Sequence, residues 1–364
     1  RDPLAYRILA IPPEVSATRR WYYFIPAHGD PQKLVHKIES GSLDTLPGSK
    51  QSYSSWSDQR SKLHEMLSGQ GTIAMQYSPL CAIPYVAMVD AGTIELISET
   101  GVKIVTSANL VQQFDSLWSD AQFEMHIEAG KRVDQARREA FDFVGERIRT
   151  NEPVNEFEVQ QFMCMRFAQL DLFNDHGPIV AVNANASDPH YEPSENRSSN
   201  IKAGDVLLID CWAKLNKPAA VYYDITWTGF CGDAAPDEVN KVFSVVRDAR
   251  KTASSLVAGR IALGTAIAGF EVDDAARNYI NDQGFGEYFV HRTGHSIGEE
   301  VHGTGANMDN LESHDERKIV AGSCFSVEPG IYLPKFGIRS EVNVFVSKQH
   351  ALVTGEEQEK LLLI

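Results

Sequence analysis

The sequence predicts an α+β protein in two parts, a smaller N-terminal α/β domain over residues 1–117 and a larger C-terminal domain over 118–364. Three observations carry this. The chain has 364 residues, 43% hydrophobic and 23% charged, the bulk of a soluble globular protein long enough for more than one core. The pattern changes near residue 118, where short alternating runs give way to one long amphipathic stretch. Beyond it, a helix–helix–strands order occurs twice. Each half ends in a pair of acidic residues in strand-like sequence, spaced 14 apart (210 and 224) and 13 apart (328 and 341).

In the first part, RILAI (7–11), WYYFI (21–25), TIAMQY (72–77) and VKIVT (102–106) read as strands. SDQRSKLHEMLSG (57–69) reads as a helix capped by Ser57 and stopped by Gly69. No catalytic constellation is visible there. From about 120 to 149, Ile127, Val133, Ala140, Phe141 and Val144 recur at helical spacing, and Asn155 caps a second helix. Strands are expected over 179–183, 205–212 and 221–228, then helices over 236–258 and 270–283. Further strands are expected near 288–292, 322–328 and 338–346.

The formal charge of −15 argues against nucleic acid or an anionic membrane as partner, since both need a basic face. Five scattered cysteines without a CxxC pair read as free thiols of a reducing compartment, and the cytoplasm is the default location. No apolar run is long enough to span a membrane. The N-terminus shows no signal peptide and no initiator Met, so a trimmed upstream segment is expected.

The informative residues are Asp210, Asp224, His295, Glu328 and Glu341. LLIDCWAK and VYYDITW hold the aspartates, and CFSVEPGIY and GIRSEVNV hold the glutamates, each expected mid-strand. A single strand acid is more often exposed or ion-paired. Four converging in an apolar setting would repel strongly unless cations neutralised them. With one neutral imidazole they make a nest for two divalent metals, which points to hydrolysis. Alternation puts Asp224 on a face with Tyr222 and Thr226, and Glu341 with Arg339 and Asn343.

The segment HRTGHSIGEEVHGTG (291–305) carries His291, His295 and His302 in a glycine-rich run. Inside it, Gly294-His295-Ser296-Ile297-Gly298 matches the GxSxG elbow of serine esterases. That reading needs a strand before Ser296 and a helix after it, and EEVHGTGANMD is a poor helix.

In IDCWAK…DIT, GHSIGEEVH, SVEPGIY and GIRSEV, in that order between about 120 and 360, the chain resembles the pita-bread metallopeptidases. These include methionine aminopeptidase, Xaa-Pro aminopeptidase and Xaa-Pro dipeptidase. Residues 1–117 resemble, by size and position, the extra creatinase-like N-terminal domain of the proline-cleaving branch. The resemblance implies a pita-bread catalytic domain with two divalent metal ions, manganese first and cobalt, zinc or iron as alternatives. It implies that Asp210 binds one metal, that Asp224 and Glu341 bridge both, and that His295 and Glu328 complete the other shell. It implies a metal-bridging hydroxide as nucleophile, Glu328 as proton shuttle, and His302 and His190 at the substrate carbonyl. His291 matches the proline-specific branch, and Arg339 sits where prolidase-like enzymes meet a substrate carboxylate. The implied substrate is an Xaa-Pro dipeptide or short peptide, and the implied assembly a homodimer.

Several residues depart from the family pattern. They are Cys211-Trp212 after the first aspartate, the inserted Asn216-Lys217-Pro218, Trp227, Gly303 and Asn343. They leave every ligand in place and bear on substrate preference. A metal-free creatinase-like hydrolase, a non-catalytic binding module on the same fold and the Ser296 esterase stand as alternatives.

Overall fold

A computed structural model describes residues 2–364 and separates into two compact units, Arg1–Asp115 and Ser116–Ile364. The first opens with a short helix, α1 (Pro3–Ile8), where a strand was expected from residue 7. Asp2 accepts from Ala5 N at 2.9 Å and Pro3 presets the first turn, a start signal that outweighs the apolar run after it. Strand β1 (Tyr22–Phe24) runs antiparallel to β2 (Gln32–His36), which pairs in parallel with β3 (Ser49–Tyr53). Helix α2 (Trp56–Leu67) is capped by Ser55, not Ser57, through a 3.1 Å bond from Asp58 N. Ser57 falls inside the first turn, where its hydroxyl meets Ser55 Oγ at 3.1 Å. A parallel pair, β4 (Thr72–Met75) and β5 (Lys103–Thr106), and helices α3 (Ala91–Ser98) and α4 (Ala108–Asp115) complete the unit. Leu34, Tyr53, Leu63, Met66, Leu67 and Ile97 form its main core.

The second unit has two halves. Helix α5 (Asp120–Thr150) starts in a reciprocal cap between Ser119 and Gln122, and α6 (Glu156–Gln169) in another between Asn155 and Glu158. These helices cover one face of a sheet made of β6 (Leu172–Phe173), β7 (Ile179–Val182), β8 (Val206–Leu215) and β9 (Tyr223–Phe230). Val133, Ala140, Phe141 and Val144 bury against Ile209, Cys211, Ala213, Tyr223 and Ile225. In the other half, α7 (Asp237–Ala262) and α8 (Gly269–Asp282) pack on a second sheet. It comprises β10 (Ser296–Ile297), β11 (Cys324–Val327), β14 (Val342–Val346) and β15 (Ala351–Thr354), with the hairpin β12 (Gly330–Leu333) and β13 (Phe336–Arg339) beside it.

Two strand expectations change here. Residues 288–292 form no strand, because the Phe289 and His291 carbonyls are taken by the Arg277 guanidinium at 3.0 and 2.7 Å. The run 338–346 is broken at Ser340–Glu341. There the chain leaves β12 for β11, and Glu341 N turns to Thr226 O at 3.1 Å.

The halves meet along the outer edge of β9. Asn343 accepts from Asp224 N at 3.2 Å and donates to Asp224 O at 2.6 Å. Gln358 does the same for Thr228, at 3.0 and 2.6 Å. The short β16 (Leu362–Leu363) then continues the edge in parallel. Side-chain amides stand in for a neighbouring strand, each satisfying one donor and one acceptor.

Candidate metal centre

Because Ile209, Cys211, Ala213, Tyr223 and Ile225 fill the core under α5 and α6, strand alternation sends Asp210, Trp212 and Lys214, and Tyr222, Asp224 and Thr226, to the opposite face. Of the four acids expected mid-strand, Asp210 lies in the middle of β8 and Asp224 is the second residue of β9. Glu328 follows the end of β11, anchored by Glu328 N to Thr293 O at 2.7 Å, and Glu341 lies in the β13–β14 break. A strand end frees the backbone to aim a side chain that a continuous pleat would direct elsewhere.

His295 Nε2 lies 3.5 Å from Asp224 Oδ2 and 3.4 Å from Glu328 Oε1. Its Nδ1 is 3.2 Å from Ser296 O. A carbonyl only accepts, so Nδ1 carries the proton and Nε2 presents a lone pair to the acids, the tautomer of a metal ligand. Asp224, His295 and Glu341 each offer a ligand atom, all within 4.8 Å of one another. Asp210 Oδ1, Asp224 Oδ1 and Glu341 Oε1 are buried with no hydrogen-bond partner. Orphaned carboxylate oxygens are costly. Burial first, and then the neighbouring acids, push the Asp224 and Glu341 carboxyls well above their ordinary range, and burial raises Glu328 as well. The nest is short of positive charge, and its oxygen-rich set with one imidazole fits divalent cations.

One cation is built in. Arg339, buried, donates to Asp210 Oδ2 at 2.5 Å, Thr226 Oγ1 at 3.0 Å and Tyr332 Oη at 2.9 Å. Each of its three guanidinium nitrogens thus has a partner on this side of the sheet. Thr226 Oγ1 in turn donates to Glu341 Oε2 at 2.8 Å. Ser326 Oγ accepts from His295 N at 3.0 Å and donates to Glu328 Oε1 at 3.1 Å. Sequence reasoning left Ser326 and Tyr332 without a role. Their positions inside SVEPGIY, two before and four after Glu328, were the available signal.

The histidines separate. His291 is enclosed, with Nδ1–H donating to Arg292 O at 2.6 Å and Nε2 accepting from Tyr332 Oη at 2.7 Å. Burial, aided by Arg339, pulls its pKa down to about 3. His302 is exposed and sits edge-on to His295, ring centroids 4.3 Å apart, and that neighbour lowers its proton affinity. His190 is exposed, close enough for its charge to be felt at His302. Ser296 is buried in a two-residue strand, and no helix follows it. Its Oγ accepts from Gly305 N at 3.1 Å. The elbow geometry an esterase needs is absent.

The departures also resolve. Trp227 turns into the core, with the Arg137 guanidinium 3.5 Å from its ring centroid. A Cβ on Gly303 would sit 2.8 Å from Ser296 Oγ, so the glycine leaves room for that serine. Asn343 joins the halves. Of the altered side chains named above, Trp212 and Asn343 share a face with a residue of the nest, and Asn343 is spent on the Asp224 backbone.

The model of "metallopeptidase family M24" matches residues 124–348. A putative Xaa-Pro aminopeptidase of Mycoplasma pneumoniae is 33% identical over 181 residues, 50% of this chain and 47% of that one. An Xaa-Pro dipeptidase of Lactobacillus delbrueckii subsp. lactis is 29% identical over 214 residues, 58% and 52% of the two chains. These matches span about half the length of the curated relatives. Among solved structures, dipeptidase PepE from Mycobacterium ulcerans superposes with a TM-score of 0.67 at 24% identity, over 94% of this chain and 86% of that one. The α+β architecture is therefore the one these peptidases share. With the family match running from α5 through β14 and so across all five residues of the nest, the chain belongs to metallopeptidase family M24.

Proposed function

We propose that this chain cleaves the bond between an N-terminal residue and a following proline in dipeptides or short peptides, using two divalent ions held by Asp210, Asp224, His295, Glu328 and Glu341. The observation that carries the reading is the set of orphaned buried carboxylate oxygens around the free Nε2 of His295. The relatives with Xaa-Pro peptidase names support the substrate class. Manganese is our first assignment, supported by the predominance of hard oxygen donors, with cobalt, iron or zinc as alternatives. When bound, such ions supply Lewis acidity, bringing the pKa of water near neutrality and polarising the scissile carbonyl.

The remaining steps belong to the protein. Glu328, its carboxyl raised by burial and held by Ser326, takes a proton from the attacking water and passes it to the leaving nitrogen. His302 and His190 donate to the carbonyl oxygen as negative charge develops there. Arg339 pairs with Asp210 and aims it, and His291 holds Tyr332 against Arg339. We also place the enzyme in the cytoplasm, where five unpaired cysteines persist, and take it as a homodimer by resemblance to its family. Among the described residues no helix is long and apolar enough to cross a membrane.

The test is hydrolysis of Xaa-Pro dipeptides and tripeptides by manganese-loaded protein. Cleavage on the N-terminal side of proline, lost in Asp224→Asn, is expected. Cleavage by the chelated protein would support the metal-free reading instead.

A further inference from the structure

Trp212, one of the departures from the family pattern, lies directly opposite Asp224 in the β8–β9 ladder. Cross-strand neighbours stand about 5 Å apart at Cβ, so the indole rises from the sheet beside the nest, on the face that carries Asp210. Its body rests on Ile179, Ala181, Tyr191 and Leu208. Its Nε1–H is committed outward, donating to Asp175 Oδ1 at 3.0 Å.

Asp175 therefore has a fixed place at the rim. Its charge is felt at Asp224, Tyr222 and His302. Its side chain keeps 39% of its surface open, and its other oxygen meets His176 Nδ1 at 3.3 Å. The nearby cation Lys214 is already engaged. Its Nζ donates to the Glu299 carbonyl and lies 4.7 Å from the Tyr222 ring centroid. Glu299 and Glu300 are exposed beside it, adding negative charge on this side of the rim.

An apolar plate ending in a tethered carboxylate suits a side chain with an aliphatic stem and a positive head. The stem lies along the indole, the head gains cation–π attraction, and Asp175 accepts from it. We propose that Trp212 and Asp175 form the subsite for the residue before proline and select a basic one, arginine or lysine, over apolar and acidic ones. The inference rests on the Xaa-Pro reading and names its substrate class.

The experiment compares kcat/KM for Arg-Pro, Leu-Pro and Glu-Pro on the manganese-loaded enzyme. Expected is the order Arg-Pro, Leu-Pro, Glu-Pro, with Arg-Pro ahead of Glu-Pro by about fivefold or more, the scale of one half-exposed charge pair. In Asp175→Asn that ratio falls towards one. Trp212→Phe, which keeps a ring but loses the Nε1 donor, lowers the same ratio. A ratio taken within one variant is unaffected by how much of the protein is folded. Equal rates on Arg-Pro and Glu-Pro in the unaltered enzyme, or an unchanged ratio in Asp175→Asn, overturns the proposal alone. Absence of cleavage of every Xaa-Pro peptide overturns the peptidase reading instead.

Discussion

Ser326 shows how single atoms set the chemistry, because one hydroxyl orients both the backbone of His295 and the Glu328 carboxylate. Groups that aim metal ligands typically contribute 10- to 100-fold in affinity. Ser326→Ala should therefore weaken manganese binding by about tenfold or more, measured by equilibrium dialysis. Unchanged affinity would remove Ser326 from the account. His126 makes a separate residue-scale prediction. It is buried, with Nδ1–H donating to Tyr222 O and Nε2 accepting from Thr354 Oγ1, both at 2.7 Å. Burial lowers its pKa from 6.5 to about 4. A base whose folded pKa is depressed stabilises the fold fully above its unfolded pKa, and that contribution is lost as pH falls from about 6.5 to 4. The difference corresponds to about 3 kcal/mol. The unfolding free energy of the unaltered protein should fall towards that of His126→Gln over this range. Parallel pH profiles would contradict it.

At the scale of elements, the amide stitches along β9 decide whether the two halves of the nest share one frame. Asn343→Asp keeps the acceptor for Asp224 N but leaves Asp224 O facing a carboxylate with no donor. We expect a loss of about 2 kcal/mol in denaturant unfolding, and a stability within error of the unaltered protein would refute the stitch. Gly337 is a second constraint, since a Cβ there would lie 1.8 Å from Ala186 O. Gly337→Ala should displace β13, and with it Arg339, lowering kcat/KM. Helix α5 was legible from its apolar spacing and α6 from its Asn155 cap, while the Ser119 cap of α5 was not read. Strands β2 and β3 were not, because QKLVH and SKQSY are too polar to show a period of two. The break at Ser340 was invisible for another reason. The alternation that places Arg339, Glu341 and Asn343 on one side persists through it, and what changes is the pairing partner, which sequence spacing does not record.

For the whole second unit, two helix-backed sheets gather Asp224, His295 and Glu341 into one buried cluster, with Asp210 and Glu328 beside it, from residues spanning 132 positions (210 to 341, inclusive). The acids and His295 were readable from strand-like context and charge arithmetic. The partners of Arg339 were not, because nothing local in the sequence marks Asp210, Thr226 and Tyr332 as neighbours of its guanidinium. Removing the ions leaves like charges buried together, so chelation should also lower the thermal midpoint, and manganese should restore it in a concentration-dependent way. The most direct test measures metal content and Xaa-Pro cleavage on one preparation, before chelation, after it and after manganese reconstitution. Two divalent ions per chain, with cleavage lost and regained alongside them, is the predicted result. Full cleavage by protein stripped of metal would contradict it.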